Sequence, residues 1–361
     1  MNTPIFNRIT IIGLGLIGSS IARAAHQHKL AGAIIGYDKN EISLAFACKE
    51  KFIDIADSNL QTAIAESDLI IIATPLASLG DIAKSIAPYI ANGAIIMDVA
   101  SVKQPAIEAI APHIPSHAIF VPTHPIAGSE QTGVRSGRAD LFTKKRIIIT
   151  PAEPPEEELF KKISAFWAGM GAQIEAMPAE IHDLIYGYMS HLPQLIAFCL
   201  EKPLGKFYEQ TEDNQVYKTF LRISNSNPEL WADILELNKI NILNSLERYI
   251  DVVSHVHNEL KTAPEGEESK NDELLAYTVL FPRIVASCLV TTVMEAEKKA
   301  GVPFAKYAGT GFADMVAPTF IAPDTDIEHI SAQYYLVEGI LGEFILRLKL
   351  FRTALSNGNK P

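Results

Sequence analysis

The chain has 361 residues, of which 48% are hydrophobic and 20% charged, enough for two domains that each bury a core. Its formal net charge of -11 argues against nucleic acid as a partner, because neutralising phosphates takes clustered Lys and Arg. A strand pattern starts near Arg8 with no apolar leader before it, and no uncharged apolar run approaches the ~20 residues that span a bilayer, so a cytoplasmic protein without a membrane partner is expected.

Cys48, Cys199 and Cys288 form no Cys-x-x-Cys pair. This fits a reducing compartment, speaks against a thiolate zinc site, and predicts three buried thiols packed as small apolar residues; no metal is expected.

From Arg8 to Thr150, β-branched runs alternate with helical patterns. The strands fall at Ile9 to Ile12, Ala33 to Tyr37, Leu69 to Ala73, Ala94 to Met97, Ala118 to Val121 and Ile147 to Thr150. Apolar on both faces and separated by helices, they predict a doubly wound α/β domain of Rossmann type with a parallel sheet. Gly13-Leu14-Gly15-Leu16-Ile17-Gly18 follows the first strand and opens a helix near Ser19. In such a turn the first glycine allows the tight bend, the second lets backbone approach a pyrophosphate, and the third lets helix and strand pack closely. The helix N-terminus then offers its N–H groups to the phosphate.

Asp38 ends the second strand, 20 residues after Gly18. A carboxylate there accepts hydrogen bonds from both ribose hydroxyls of NAD and repels the 2′-phosphate of NADP, which makes NAD the expected cofactor. The plainer alternative is a cap for the helix near Asn40. Thr74-Pro75 leaves the next long strand at its carboxyl end, the edge at which open α/β sheets bind ligands.

A Pro- and Glu-rich stretch, Pro151 to Glu158, leads to a helix and the short apolar run Ala172 to Met177. Beyond Pro178 the patterns are helical. The charged segment Lys261 to Asp272 marks a linker between two copies of one unit. Leu192-Pro193-Gln194-Leu195-Ile196-Ala197-Phe198-Cys199-Leu200 lies without a gap on Phe281-Pro282-Arg283-Ile284-Val285-Ala286-Ser287-Cys288-Leu289; further on Pro228 meets Pro323, Leu246 meets Leu341, and Tyr249-Ile250 meets Phe344-Ile345. The expected organisation is therefore a dinucleotide-binding domain, 1–177, and an all-α region made of a first copy, 178–260, and a second, 273–361.

Two more strand ends carry Asp98-Val99-Ala100-Ser101-Val102-Lys103 and Pro122-Thr123-His124-Pro125-Ile126-Ala127-Gly128-Ser129-Glu130, and Ser190-His191-Leu192-Pro193 follows in the helical region. In these three motifs the chain, from about residue 8 to residue 260, resembles the prephenate/arogenate (cyclohexadienyl) dehydrogenase family. The resemblance implies NAD-dependent oxidative decarboxylation of prephenate or arogenate on the route to tyrosine. It makes His124 the catalytic base with Ser101 assisting, and Ser101 also a neighbour of the cofactor. An imidazole at the ligand edge of a sheet suits that task on chemical grounds, while Ser101 also suits the N-cap of the helix after it. His191, Ser129, Glu130 and Trp231 match positions around the substrate, and Arg222 matches an arginine that clamps a carboxylate, for which a guanidinium fork is well shaped.

The sequence departs from the family before that arginine, where a glycine-rich run with an Asp has become Asn214-Gln215-Val216-Tyr217-Lys218-Thr219-Phe220-Leu221-Arg222. The second copy is complementary: it keeps Gly309, Gly311 and Asp314 but has Ala317 and Leu280 in place of the Arg and His. Family members are homodimers with interleaved helical domains. We therefore expect copy two to act as the partner subunit within one chain, adding Asp314 to the site and permitting an active monomer, with a homodimer as the alternative. Two other readings stand beside this one. A β-hydroxyacid dehydrogenase would carry a catalytic Lys on the first long helix of the second domain, where this chain has His182 and His191 and no Lys before Lys202. A nucleotide sensor without turnover would not need Ser101, His124 and Arg222.

Overall fold

A computed structural model describes residues 3–128, 131–151, 157–205, 215–262, 276–320 and 327–358. The chain divides into two compact units, Met1–Asp183 and Leu184–Pro361.

The first unit is built on an eight-stranded sheet of order β3-β2-β1-β4-β5-β6-β7-β8: β1 (Phe6–Ile12), β2 (Ala31–Tyr37), β3 (Ile55–Ala56), β4 (Leu69–Ile72), β5 (Ile95–Asp98), β6 (Ile119–Pro125), β7 (Arg146–Ile149) and β8 (Gln173–Ala176). The first six in chain order pair in parallel, with the strand order reversing between β1 and β4, which is where doubly wound sheets open a ligand crevice. Helices α1 (Leu16–Gln27), α2 (Glu41–Lys49), α3 (Leu60–Ile64), α4 (Leu79–Ile86), α5 (Lys103–Ile110) and α6 (Glu157–Gly169) accompany the strands. The isoleucine runs of β1 and β4 are fully buried, and Trp167 and Phe166 of α6 seal the core against Phe142 and Phe6.

One expectation is corrected here. The sheet is not wholly parallel: β7 runs antiparallel to β6, with Thr123 opposite Ile149 and His124 opposite Ile148, and β8 then runs parallel to β7. This added ladder extends β6 past Val121 to Pro125 and holds the His124 backbone within regular structure.

The second unit is helical. After α7 (Ala179–Tyr186), which carries the chain across the division between units, come α8 (Leu192–Gly205), α9 (Gln215–Ser224), α10 (Pro228–Leu237), α11 (Lys239–Leu260), α12 (Phe281–Ala300), α13 (Thr310–Val316) and α14 (Ile327–Ser356). Single π turns, Gly187–His191 and Ala276–Leu280, stand immediately before α8 and α12. Each is followed by a proline, Pro193 or Pro282, at the second position of the helix. A proline lacks the N–H that the preceding turn would use and its ring crowds the carbonyl four residues back, and widening that turn relieves the conflict. Helix α11 packs against α12 and α14, and α14 against α8; the Tyr249 and Phe344 rings meet edge to face, 6.3 Å apart at 81°.

Of the cysteines, Cys199 and Cys288 are buried as expected, but Cys48 is exposed near the end of α2. By length and composition Ala276–Ala300 would suffice to cross a membrane; it contains Arg283, and half of its most apolar stretch is buried against the rest of the protein. The inward face, with Phe281, Val285, Leu289 and Val293, is that of a core helix. Most of the charged segment Lys261 to Asp272 lies outside the described residues.

Candidate active site

At the carboxyl edge of the sheet the glycine turn is fixed by sterics at two positions and left open at the third. Gly13 has φ +94°, and a Cβ there would lie 2.6 Å from the Ala73 carbonyl oxygen; at Gly18 it would lie 1.9 Å from the Gly13 oxygen. At Gly15 a Cβ would meet no protein atom within 4 Å, so nothing inside the fold demands a glycine. Gly15 is also the N-cap of α1 and gives it no side-chain bond, which leaves first-turn amides for an anion from outside. Leu16 and Ile17 form that first turn.

Asp38 holds this turn from the end of β2. Its Oδ2 accepts the Leu14 N–H at 2.7 Å and its Oδ1 the Asn40 N–H at 2.8 Å. The cap of α2 is Asn40, whose Oδ1 accepts from Ile42 and Ser43, so Asp38 does not have the capping role. Each carboxylate oxygen has a second lone pair that a ribose hydroxyl can use. After β4, the Ser78 hydroxyl bonds Thr74 Oγ1 at 3.0 Å, steadying the Thr74-Pro75 turn.

Around His124 the structure places groups that the sequence reading passed over. Asp98 and Lys103 form a fully buried ion pair at the ends of β5 and α5. Lys103 Nζ also donates to the Thr123 carbonyl at 2.6 Å, and Asp98 Oδ1 accepts the Thr123 N–H at 3.2 Å. The residue before His124 is thereby clamped from the β5 side. Burial draws the Lys103 ammonium below its usual range, with Asp98 and Asp183 pulling the other way. The His124 ring is held by its Nδ1, 2.8 Å from His182 Nε2; His182 Nδ1 lies 2.8 Å from Asp183 Oδ1. Asp183 in turn accepts the Lys103 N–H at 2.7 Å on Oδ1 and the Gln104 N–H at 2.8 Å on Oδ2. The N-cap position of α5 is Val102, whose side chain cannot cap, so Asp183 supplies that function from α7 and Ser101 does not.

Within the helical unit, His191 is buried and its Nδ1 accepts from Asn238 Nδ2 at 2.9 Å, while Asn241 Nδ2 donates to Asn238 Oδ1 at 2.8 Å. This orients the Asn238 amide and makes Nε2 the protonated nitrogen of the neutral His191 ring. The Trp231 and His191 rings meet edge to face, with centroids 6.0 Å apart. Arg222 Nη2 is hydrogen-bonded to Asp314 Oδ2, both side chains being partly exposed. Ser129 and Glu130 fall outside the described residues.

A doubly wound sheet with an open glycine turn beneath a helix N-terminus, and an oriented imidazole at its ligand edge, has the layout of a dinucleotide-dependent oxidoreductase. Residues 21–176 match the family described as prephenate dehydrogenase, nucleotide-binding domain, and residues 178–269 match prephenate dehydrogenase, dimerization domain. The chain is 33% identical over 252 residues to the cyclohexadienyl dehydrogenase of Zymomonas mobilis, covering 68% of this chain and 86% of that one. It is 30% identical over 276 residues to the prephenate dehydrogenase of Bacillus subtilis, covering 73% and 71%. The crystal structure of prephenate dehydrogenase from A. aeolicus in complex with hydroxyphenyl propionate and NAD+ is similar with a TM-score of 0.64 at 27% identity, covering 71% of this chain and 90% of that one. This chain belongs to the prephenate dehydrogenase family, NAD-dependent oxidoreductases of tyrosine biosynthesis.

The family patterns end at residue 269, so the second helical stretch, α12 to α14, lies beyond them. The bond from His124 to His182 spans 58 positions, and the sequence signal that would have found it is the His182-Asp183 pair shortly before Ser190-His191.

Proposed function

We propose that this protein uses NAD to convert prephenate to 4-hydroxyphenylpyruvate with His124 as the base. The observation that carries the assignment is the position of His124: at the end of β6, backbone clamped through Thr123 and ring held through Nδ1; on this reading Nε2 is the atom that meets the substrate hydroxyl. The residues present suit a dinucleotide: the space over Gly15 admits a pyrophosphate, the α1 N-terminus favours its charge, and Asp38 suits a 2′-hydroxyl and opposes a 2′-phosphate. When bound, NAD supplies the hydride acceptor. His124 takes the proton of the ring hydroxyl as hydride leaves the same carbon, and Ser101, at the end of β5, steadies that hydroxyl. The ring carboxylate departs as CO2, and aromatisation makes the step irreversible. Arg222 binds a substrate carboxylate, with Asp314 orienting its fork, and His191, Trp231, Ser129 and Glu130 complete the substrate surroundings.

The same reading assigns residues 1–177 to a nucleotide domain and the helical region, 178–260 and 273–361, to two related copies about a pseudo-two-fold axis. It is supported by the two π turns, each set before an aligned proline, and by the contact of the aligned residues Tyr249 and Phe344. The ion pair of Arg222 from the first copy with Asp314 from the second supports it further. On this reading the chain can be active as a cytoplasmic monomer; the match of residues 178–269 to a dimerization domain supports the alternative, a homodimer.

The test is NADH production by the purified protein with prephenate and arogenate in parallel, each with NAD and NADP. Prephenate with NAD should be the productive pair, and His124→Asn should lower kcat by roughly 2 to 4 orders of magnitude with NAD affinity retained. A kcat for His124→Asn close to that of the parent would remove the base assignment.

A further inference from the structure

We propose that His182 and Asp183 form a relay that sets the tautomer of His124 and takes up the charge it acquires. The inference rests on His124 being the base. Donor arithmetic orders the chain of bonds. Asp183 is buried and accepts two first-turn amides of α5, from Lys103 and Gln104, a setting at a helix N-terminus that favours the anion. A carboxylate can only accept, so His182 Nδ1, 2.8 Å from Asp183 Oδ1, is the donor. The neutral His182 ring then carries its lone pair on Nε2. His124 Nδ1, 2.8 Å from that atom, must donate to it. The lone pair of His124 is thereby placed on Nε2, the form that abstracts a proton. Without the carboxylate, His182 can turn the relay round and donate from Nε2–H, which forces a hydrogen onto His124 Nε2 and abolishes the base.

The same chain carries charge in turnover. The proton from the substrate hydroxyl goes to His124 Nε2, and the Nδ1 proton of His124 passes to His182 Nε2. The positive charge comes to rest on His182, in contact with the Asp183 carboxylate. No bond to carbon is involved, and the hydride leaves separately to the dinucleotide. Among the described residues, the charged or titratable groups the relay faces include His124 on β6 and the Lys103 ammonium on α5 with Asp98 on β5, which neutralise one another. His182 and Asp183 act through His124 and are positioning residues.

The test joins kinetics to a direct view of the rings. Nitrogen-15 NMR of histidine-labelled protein should find neutral His124 protonated on Nδ1, and in Asp183→Asn protonated on Nε2. Asp183→Asn should lose about 10³-fold in kcat, a general-base contribution, with KM for prephenate and NAD changed less than about threefold. His182→Gln keeps an acceptor oxygen facing His124 but cannot take up its proton, and should fall about tenfold or more, whereas His182→Leu, which also loses the acceptor, should fall by about 10²-fold or more. An Nε2–H tautomer in the unaltered protein overturns the relay, and so does an unchanged kcat in Asp183→Asn while His124→Asn is inactive. If His124→Asn itself retains kcat, the base assignment has failed and the relay goes with it. Should Asp183→Asn not fold, because it caps α5, the wild-type tautomer and the His182 pair still decide.

Discussion

Gly15 and Gly18 look equivalent in the sequence and have opposite reasons to be glycine. A methyl at Gly18 would overlap the Gly13 carbonyl oxygen, whereas one at Gly15 would meet no protein atom. Gly18→Ala should therefore lower the melting temperature sharply or prevent folding. Gly15→Ala should melt like the parent yet bind NAD at least tenfold more weakly by titration calorimetry, because its methyl occupies the approach of the pyrophosphate. Equal damage to both properties in both variants would mean that the turn is purely structural. Asp38 was similarly ambiguous in the sequence, and the structure removes its capping role: Asn40 caps α2, while Asp38 ties the glycine turn to β2.

At the level of elements, Lys103 joins three of them, with Nζ on Asp98 of β5 and Thr123 of β6, and its own N–H bound by Asp183 of α7. Lys103→Met would leave Asp98 as an uncompensated buried charge, and urea unfolding should show a loss of about 3 to 5 kcal/mol. A loss under about 1 kcal/mol would show that Asp98 finds other partners. The parallel strands were legible because burial on both faces leaves an unbroken β-branched run, as in Ile9 to Ile12 and Ile70 to Ile72. The direction of β7 was not, since a short apolar strand reads the same in either orientation. Nor were the π turns, which arise from where Pro193 and Pro282 fall in their helices and not from a residue pattern of their own. The relay escaped for a related reason: the motifs mark where His124 stands, but its partner is brought over by the tertiary fold.

For the molecule as a whole, the three thiols report on the fold. Burial pushes Cys199 and Cys288 up to about 12, so their thiolate fraction near pH 8 is on the order of 10⁻⁴, while Cys48 is exposed. A thiol reagent at pH 8 should modify one cysteine in the native protein and three after denaturation; rapid reaction of Cys199 or Cys288 would mean that the helical unit opens readily. Light scattering during turnover tests the one-chain reading, which expects activity at the mass of a single chain, independent of dilution. Activity that falls away as a dimer dissociates would return the second copy to another role. In a symmetric dimer, every residue on the two-fold axis meets its own copy, and any mutation there strikes both sides at once. A chain that encodes both sides separately escapes that constraint. On the one-chain reading, Tyr249 and Phe344 illustrate that freedom: the Tyr249 hydroxyl donates to the Val285 carbonyl at 3.1 Å, whereas the Phe344 ring it faces has no hydroxyl to place.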